Sequence, residues 1–266
     1  MQIVTPKIFV LAQTKIEEQG LADYLENAGV PDWTTDAVSD AEKLTEIAGK
    51  ACYQSFSTDL NKNLTKVNGR NNNDYIQGGI VGMKHGSVLE HSSVTFALVD
   101  VSRVLTHELV RHRVGTAYSQ ESGRYVRTDV IKMYIPLEIS ENEELMAEFL
   151  HTVEIIEKQY KKLELISGVD TMSDFGKKKR LTSALRRILP EGRANSIIVT
   201  MNHRTIRHLI QLRTSVHAEV EIREAFAQLY SIIRPVFPAI YADAIVEFPE
   251  DDAHDIPVIT FAAEKV

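Results

Sequence analysis

The sequence predicts a mixed α/β fold in a single domain. Stretches in which apolar residues alternate, a pattern typical of strands, are interspersed with stretches of helical periodicity. These stretches do not follow a strict βαβ order, and no repeat or linker-like composition divides the 266 residues. We therefore expect one domain over residues 1–266, with an acidic, exposed tail from about residue 247.

Short strands are expected at residues 8–11, 92–101, 125–134 and 197–201. In the second of them, Val94, Phe96 and Leu98 fall on one face, as in a strand with one buried side. Polar composition predicts loops at residues 57–75 and 114–124, the second of which contains several hydroxyl residues and two glycines.

Helices are expected where apolar residues recur every three or four positions, in several cases behind a capping box. The clearest example begins at the capping box Ser140–Glu143 and continues to Leu163. Further helices are expected at residues 20–30, after the capping box Ser39–Glu42, after the capping box Ser87–Glu90, from Ser102 to Arg113, at residues 178–189, and as one long helix over residues 205–233.

Composition excludes several classes of protein. The 30 basic and 37 acidic residues give a net charge of −7, which weighs against a general nucleic-acid binder. The single cysteine, Cys52, cannot form an internal disulfide, and its apolar helical setting predicts a core residue. No zinc-type Cys/His spacing and no membrane-length apolar run occur, so we expect a cytoplasmic protein without metal or membrane partner.

Basic residues are concentrated in two segments. The first combines Arg111, His112 and Arg113 with a turn from Ser119 to Tyr125, and arginine forks beside hydroxyl groups suit the oxygens of an anion. The alternative is a solvated helix end, because cations also favour helix C-termini.

The second basic segment runs from Asn202 to His217. Arg204 and His208 are four residues apart, as are Arg213 and His217, so each pair is expected on one helix face. The alternative is a surface helix balanced by glutamates. A helix beginning near Ser87 could also offer free amides to a phosphate, although a purely structural cap is the simpler interpretation.

These segments together resemble a known family, the flavin-dependent thymidylate synthases. The stretch RHRVGTAYSQESGRY at residues 111–125 matches the family signature, and the resemblance extends in the same order over residues 45–225. Eight residues separate Arg113 from Ser122, where the family has seven, so we expect a bulge near Gly115 and Thr116.

The resemblance implies a mixed central sheet with long helices, and a homotetramer with shared active sites. It implies FAD as the prosthetic group. The implied reaction methylates dUMP to dTMP, with 5,10-methylenetetrahydrofolate as carbon donor and NADPH as reductant. Tetrahydrofolate is released because the flavin supplies the hydride.

The resemblance also assigns residues. It implies that FAD is contacted by Ser87, Arg111, His112, Arg113, Gln120, Asn202, Arg204, His208 and His217. It implies that dUMP is contacted by Glu108, Arg111, Gln120, Glu121, Ser122, Gly123, Arg124, Arg186 and Arg213. Arg213 is expected to polarise the uracil ring, and Ser122 to orient dUMP rather than attack it.

Two other functions remain open at this stage. A related flavoenzyme could modify dUMP differently, for example by hydroxymethylation. A non-catalytic protein could use the same basic segments to bind an anion or a nucleic acid. Flavin colour in the purified protein separates the second from the enzymes, and the mass of the product separates the first.

Overall fold

The computed structural model describes residues 1–53, 55–56, 71–126, 128–250 and 252–263. Within these ranges the strands are β1 (Gln2–Ile3), β2 (Lys7–Gln13), β3 (Ser93–Ser102), β4 (Thr116–Gln120), β5 (Lys132–Met133), β6 (Ala194–Asn202), β7 (Ala244–Glu247) and β8 (Val258–Phe261). The α-helices are α1 (Glu18–Asn27), α2 (Asp40–Tyr53), α3 (Asn72–Asp74), α4 (Arg103–Leu109), α5 (Leu137–Ser140), α6 (Glu143–Ser167), α7 (Phe175–Leu185), α8 (His203–Arg213) and α9 (Val220–Ile233). Helical turns of other types are Tyr75–Val81 (π), Gly86–Glu90 (3₁₀) and Arg186–Ile188 (3₁₀).

The mixed α/β fold is confirmed. Four strands form one sheet in the order β2-β3-β6-β4, β1 pairs parallel with β5, and β7 pairs antiparallel with β8. In β3 the side chains of Val94, Phe96 and Leu98 are buried, as the alternation predicts. None of the helices in the described ranges is long and apolar enough to cross a membrane.

Contacts along the chain divide it into two compact units. The first unit comprises Met1–Phe9, Ala97–Arg113 and Tyr118–Val199. The second unit comprises Val10–Phe96, Val114–Ala117 and Thr200–Val266. The single-domain boundaries stay a prediction.

The long helix α6 packs against a core cluster of the first unit. Its Val153 packs with Ile131 and Met133, and Phe149 and Leu189 cover this cluster.

The start of helix α6 differs from the expectation. Asn142, not Ser140, caps α6, because the Asn142 side chain accepts the amide of Leu145 at 3.0 Å while Ser140 ends the separate helix α5.

The expected helix over residues 205–233 is wrong, because the structure has two helices, α8 and α9, in the second unit. Thr214 ends α8: its hydroxyl donates to the carbonyl of Ile210 at 2.8 Å and accepts the amide of Ile259 at 2.9 Å. Glu219 then caps α9 with its carboxylate, which accepts the amides of Glu221 and Ile222. Both interactions oppose helix continuation between residues 214 and 219.

Helix α2, also in the second unit, buries its charged face. Glu42 and Glu46 are buried, and Glu46 pairs with Lys50 at 3.0 Å. Ser39 caps this helix as expected, since its hydroxyl accepts the amide of Glu42 at 3.3 Å. Cys52 is exposed rather than in the core, because the inward face of α2 includes Glu42, Glu46 and Lys50 beside Ile47 and does not extend to Cys52.

Residues 114–134 differ most from their prediction. The expected loop contains strand β4, which lies at the edge of the sheet beside β6. Of the expected strand at residues 125–134, the described residues form a strand only at β5, and the others are turn, bend or irregular backbone. Tyr125 and Val126 instead donate their amides to the carbonyl of Ser122, each at 3.0 Å. Whether a strand forms in these segments is therefore decided more by pairing with a neighbouring strand than by the local β propensity of the residues.

Two further expectations need correction. Of the expected loop at residues 57–75, residues 57–70 lie outside the described residues, and 72–75 are helical.

The acidic tail is mostly exposed, but its Asp252 side chain is only 6% exposed and pairs with Arg223. That ion pair, with strand β8 after it, holds the end of the chain in the second unit.

Gly115 occupies the place where an extra residue is expected, and its φ of +68° is in the left-handed region. A Cβ there would lie 2.3 Å from the Thr205 hydroxyl and 2.5 Å from the Asn202 amide nitrogen. Gly29 has a similar φ of +73°, but no heavy atom of the described residues lies within 4 Å of its Cβ position. Of these two glycines, Gly115 alone combines backbone strain with a close approach.

We expect Gly115→Ala to lower the free energy of unfolding by about 1–3 kcal/mol more than Gly29→Ala, because both variants carry backbone strain but only the first adds overpacking. Chemical denaturation of the two variants and the wild type measures the difference. Equal losses in the two variants would contradict the role given to the Thr205 and Asn202 contacts.

Candidate active site

The Arg111–Arg113 segment lies beyond the end of α4 in the first unit. Ser102 caps this helix as predicted, with its hydroxyl 3.0 Å from the amide of Leu105. The helix ends at Leu109 rather than at Arg113, and the Tyr118 hydroxyl contacts the carbonyls of Leu109 and His112 at 2.9 and 2.7 Å. Arg111 and Arg113 are exposed there, and His112 and Glu108 are half-buried.

The side chain of Gln120 ties three elements of the first unit together. Its amide group donates to the Thr106 hydroxyl at 2.8 Å and to the Asn195 side-chain oxygen at 2.9 Å. Asn195 in turn donates to the carbonyl of Val101 at 3.0 Å. Both N–H groups of the Gln120 side chain are thus engaged within the protein, which leaves its carbonyl oxygen for a ligand.

A turn at residues 122–124 follows directly. Glu121 is half-buried and donates its amide to the carbonyl of Ser196 at 2.9 Å. Ser122 is half-buried, Gly123 is buried, and Arg124 is exposed. The hydroxyl of Ser122 lies 3.4 Å from the amide of Arg124.

Two guanidinium groups flank this turn within the first unit. A Cβ placed on Gly123 would lie 3.0 Å from Nη2 of Arg193 and 3.3 Å from Nη1 of Arg186. Arg193 is 7% exposed, and burial together with the positive charges of Arg103 and Arg186 lowers its pKa. The turn is therefore a concentrated positive site, suited to an anion with several oxygen atoms.

The basic residues of the second segment lie on two faces of helix α8. His203 and Arg207 point into the core of the second unit, where Arg207 makes a two-pronged ion pair with Asp243 at 2.7 and 2.9 Å. Arg204 and His208 are exposed on the opposite side, as their four-residue spacing predicts. Asn202 caps the helix, since its side chain accepts the amide of Thr205 at 2.9 Å.

The segment around Ser87 packs against α8 in the second unit. Ser87 is exposed, but it lies inside a 3₁₀ turn without a side-chain cap, so the predicted capping box is wrong. The carboxylate of Glu90 hydrogen-bonds Arg204 instead. Ser87, Arg204 and His208 therefore present exposed polar groups from two packed elements.

The predicted pairing of Arg213 with His217 on one helix face is wrong. Arg213 is the last residue of α8 and is half-buried, whereas His217 lies in the segment between α8 and α9 and is exposed.

In the described part of the chain, no group of three or more His, Cys, Asp or Glu side chains is arranged to hold a metal ion.

Comparisons with known proteins identify the family. Residues 35–239 match the Thy1 family, described as thymidylate synthase complementing protein. The chain belongs to this family. It is also 35% identical over 238 residues to the flavin-dependent thymidylate synthase of Mycobacterium avium strain 104, covering 88% of this chain and 90% of that protein.

Solved structures have the same fold as this Thy1 chain. The UMP/dUMP methylase PolB of Streptomyces cacaoi, bound with 5-Br UMP, superposes with a TM-score of 0.63 at 18% identity, covering 91% of this chain and 95% of that chain. Thymidylate synthase X of Helicobacter pylori, with FAD and dUMP, superposes with a TM-score of 0.54 at 17% identity, covering 89% of this chain and 99% of that chain.

Sequence reasoning missed Arg193 and the Gln120 partners Thr106 and Asn195. Arg193 carried one available signal: it follows a Pro-Glu-Gly turn and precedes a β-branched strand, so it lies where the chain enters the sheet. Thr106 and Asn195 carried none, because a polar residue within a helix or strand gives no sign in the sequence that it is buried.

His203 is a buried histidine of α8. Its Nδ1 lies 2.8 Å from the Tyr241 hydroxyl, and burial together with the charge of Arg207 lowers its pKa to about 3. It is therefore neutral in the folded protein at neutral pH. The unfolded chain takes up a proton at His203 below about pH 6.5, so folding stability falls as the pH falls from about 6.5 toward 3.

We expect the wild type to lose about 2 kcal/mol of unfolding free energy from this group between pH 7 and pH 5, and His203→Gln to lack that loss. Denaturant unfolding at the two pH values measures it. His151→Gln, an exposed change on α6, is the control and should follow the wild type. Parallel pH dependence in His203→Gln and the wild type would contradict this assignment.

Proposed function

We propose that this protein is a flavin-dependent thymidylate synthase. In the proposed reaction dUMP is methylated to dTMP, with 5,10-methylenetetrahydrofolate as the carbon donor and NADPH as the reductant through FAD. The observation that carries the proposal is the positive turn at residues 122–124 in a chain of the Thy1 family, 35% identical to a named synthase. We place the reaction in the cytoplasm.

The turn is assigned to the phosphate and sugar of dUMP. Arg186 offers a rigid fork of donors, and the guanidinium of Arg193 lies beside it across Gly123. Ser122 and Arg124 add a hydroxyl and a further cation. Ser122 has the role of orienting the nucleotide, since within the described residues its hydroxyl is paired with the amide of Arg124 and with no general base.

Most of the residues assigned to FAD are exposed, so their polar groups are available to contact a phosphorylated flavin. Ser87, Arg204 and His208 present polar groups on adjoining elements of the second unit, and His217 is exposed in the same unit. Arg111, His112 and Arg113 contribute from the end of α4. When bound, the flavin supplies the hydride, and the protein's own task is to bind, orient and polarise.

Arg213 is assigned to the uracil ring. A guanidinium remains charged at all working pH values and offers rigid donors to the imide and carbonyl groups. Negative charge develops on the ring as carbon 5 becomes nucleophilic, so the benefit of Arg213 is larger in the transition state than in the bound substrate. A protein nucleophile is not required by this chemistry.

The proposal is tested by NADPH oxidation with the FAD-loaded protein, methylenetetrahydrofolate, and dUMP present or omitted, followed by mass analysis of the nucleotide. We expect a yellow protein, oxidation that depends on dUMP, and dTMP as the product. A hydroxymethylated nucleotide would replace the proposed reaction with its closest alternative. A colourless protein that takes up no FAD would overturn the proposal.

We expect Arg213→Ala to keep FAD and the oligomer, but to slow flavin oxidation in a single turnover by about one-hundred- to one-thousand-fold, because losing one preorganised donor typically costs roughly 3–4 kcal/mol. Arg213→Lys should recover little, because a point charge does not reproduce the fork. Ser122→Ala, the companion variant, should retain measurable turnover. A near-native rate in Arg213→Ala would show that this residue is wrongly assigned.

We also propose a homotetramer, in which β2 belongs to an interface with a second copy of the chain. This strand lies at the edge of the sheet. Its Val10 and Leu11 are 41% and 54% exposed, and with Ile233 and Val236 they line an apolar groove in the second unit. Long apolar edge strands are uncommon on free surfaces, because they pair with other chains.

We expect Leu11→Asp to shift the protein from tetramer to a smaller species, since a carboxylate would be buried without a partner. Sedimentation equilibrium over a range of concentrations measures the change. Val38→Asp is the matched control, because Val38 is a 70% exposed apolar residue of the same unit, away from this groove. A tetramer that persists unchanged in Leu11→Asp would exclude β2 from the interface.

A further inference from the structure

Arg193 is a buried arginine to which the family resemblance assigns no role. It immediately precedes β6, and its Nη1 donates to the Thr128 hydroxyl at 3.3 Å. Its Nη2 lies 3.0 Å from the position that a Cβ on Gly123 would take. The guanidinium therefore lies directly behind the turn, with Arg186 on the same glycine.

The charge of Arg193 has little compensation in the first unit. Burial and the neighbouring Arg103 and Arg186 lower its pKa, and Glu121 and Tyr160 only partly offset that effect. Across the described ranges, no carboxylate forms an ion pair with it. A buried cation beside other cations is costly unless an anion neutralises the group, so the cluster is best satisfied when such a ligand is bound.

The occupant that suits this cluster is a phosphate monoester. A dianion with three terminal oxygen atoms can accept from more than one guanidinium at once, which a carboxylate or a neutral sugar cannot do equally well. Gly123 contributes by its lack of a side chain, because any Cβ there would press on both arginines. The turn at residues 122–124 and the arginines beside it thus form one site suited to a phosphate.

We propose that Arg193 is a positioning residue for the phosphate group of the nucleotide substrate. It acts through Arg186 and the Gly123 turn, and it selects the dianionic 5′-monophosphate over the unphosphorylated nucleoside. This inference rests on the proposed function, and it adds to it a residue outside the family assignments. Its alternative is a purely structural arginine that holds the turn to Thr128.

Charge separates the two roles. Arg193→Lys keeps the positive charge, and Arg193→Gln removes it while retaining a hydrogen-bond donor. Thr128→Val removes the hydrogen bond of Arg193 to Thr128 and keeps its charge. Arg187→Gln, an exposed change on the same short helix as Arg186, removes a positive charge outside the cluster and is the matched control.

The experiment measures dissociation constants of the FAD-loaded protein for dUMP and for deoxyuridine. We expect Arg193→Gln to weaken dUMP binding about ten- to one-hundred-fold, in line with the loss of a charge-assisted interaction, and to leave deoxyuridine binding unchanged. Arg193→Lys should recover most of the affinity. Thr128→Val and Arg187→Gln should bind dUMP within about threefold of the wild type.

A pH series supplies a signature that a structural role would not give. The second ionisation of a phosphate monoester has a pKa of about 6, so dUMP binding to the wild type should strengthen between pH 5.5 and 7.5 as the dianion forms. In Arg193→Gln this strengthening should be reduced. Inorganic phosphate should compete with dUMP in the wild type and compete less in that variant.

The outcomes are separable. A wild type that does not bind dUMP overturns both the proposed function and this inference. A wild type that binds dUMP, together with an Arg193→Gln variant of equal affinity and equal pH dependence, overturns this inference alone. Equal losses for dUMP and deoxyuridine, or a Thr128→Val variant as impaired as Arg193→Gln, would assign Arg193 a structural role instead.

Discussion

The carboxamide of Gln120 is the interaction on which the geometry of the first unit depends. It joins β4 to α4 through Thr106 and to β6 through Asn195, and Asn195 continues the network to the backbone of Val101. Thr106 and Asn195 are buried, so breaking the network would leave polar groups unsatisfied at a cost of about 1–3 kcal/mol each. Gln120 therefore fixes the point from which the 122–124 turn begins.

The second unit has a comparable centre in the segment that follows α9. Glu42 accepts the amide of Ala239 at 2.6 Å, and Gln77 donates to the carbonyl of the same residue at 2.6 Å. Arg207 donates to the carbonyl of Ile240 at 2.7 Å. Helices α2 and α8 thus turn charged faces inward because this irregular backbone needs partners. Burial raises the pKa of Glu42, and its hydrogen bonds oppose that effect.

Elements of the fold that depend on residues close together in the sequence could be predicted, and elements that depend on residues far apart could not. The periodicity of α6 and the alternation of β3 are local, and both were predictable. The inward face of α2 was not, because its partners Ala239 and Asn72 are remote in sequence. The break after α8 depends on Thr214 meeting Ile259, and β4 forms only because it lies beside β6.

The candidate site divides in the same way. The family resemblance pointed to the turn at residues 122–124 and to Arg186, and helical spacing put Arg204 and His208 on one face, because those residues belong to contiguous segments. It could not show that His203 and Arg207 in the same basic run face the core. Nor could it show which arginine closes the turn from behind, since Arg193 is about 70 residues from Gly123 in the chain and reaches it only through β6.

The acidic character of the chain and the basic character of the site are compatible for an electrostatic reason. A net charge of −7 is spread over a solvated surface, where counterions screen it within about 10 Å. The guanidinium of Arg193 is instead 7% exposed, and charges in such surroundings interact more strongly than the same charges in water. Buried Arg193 and half-buried Arg186, beside one glycine, can therefore dominate the local potential and attract a phosphate to an otherwise acidic protein.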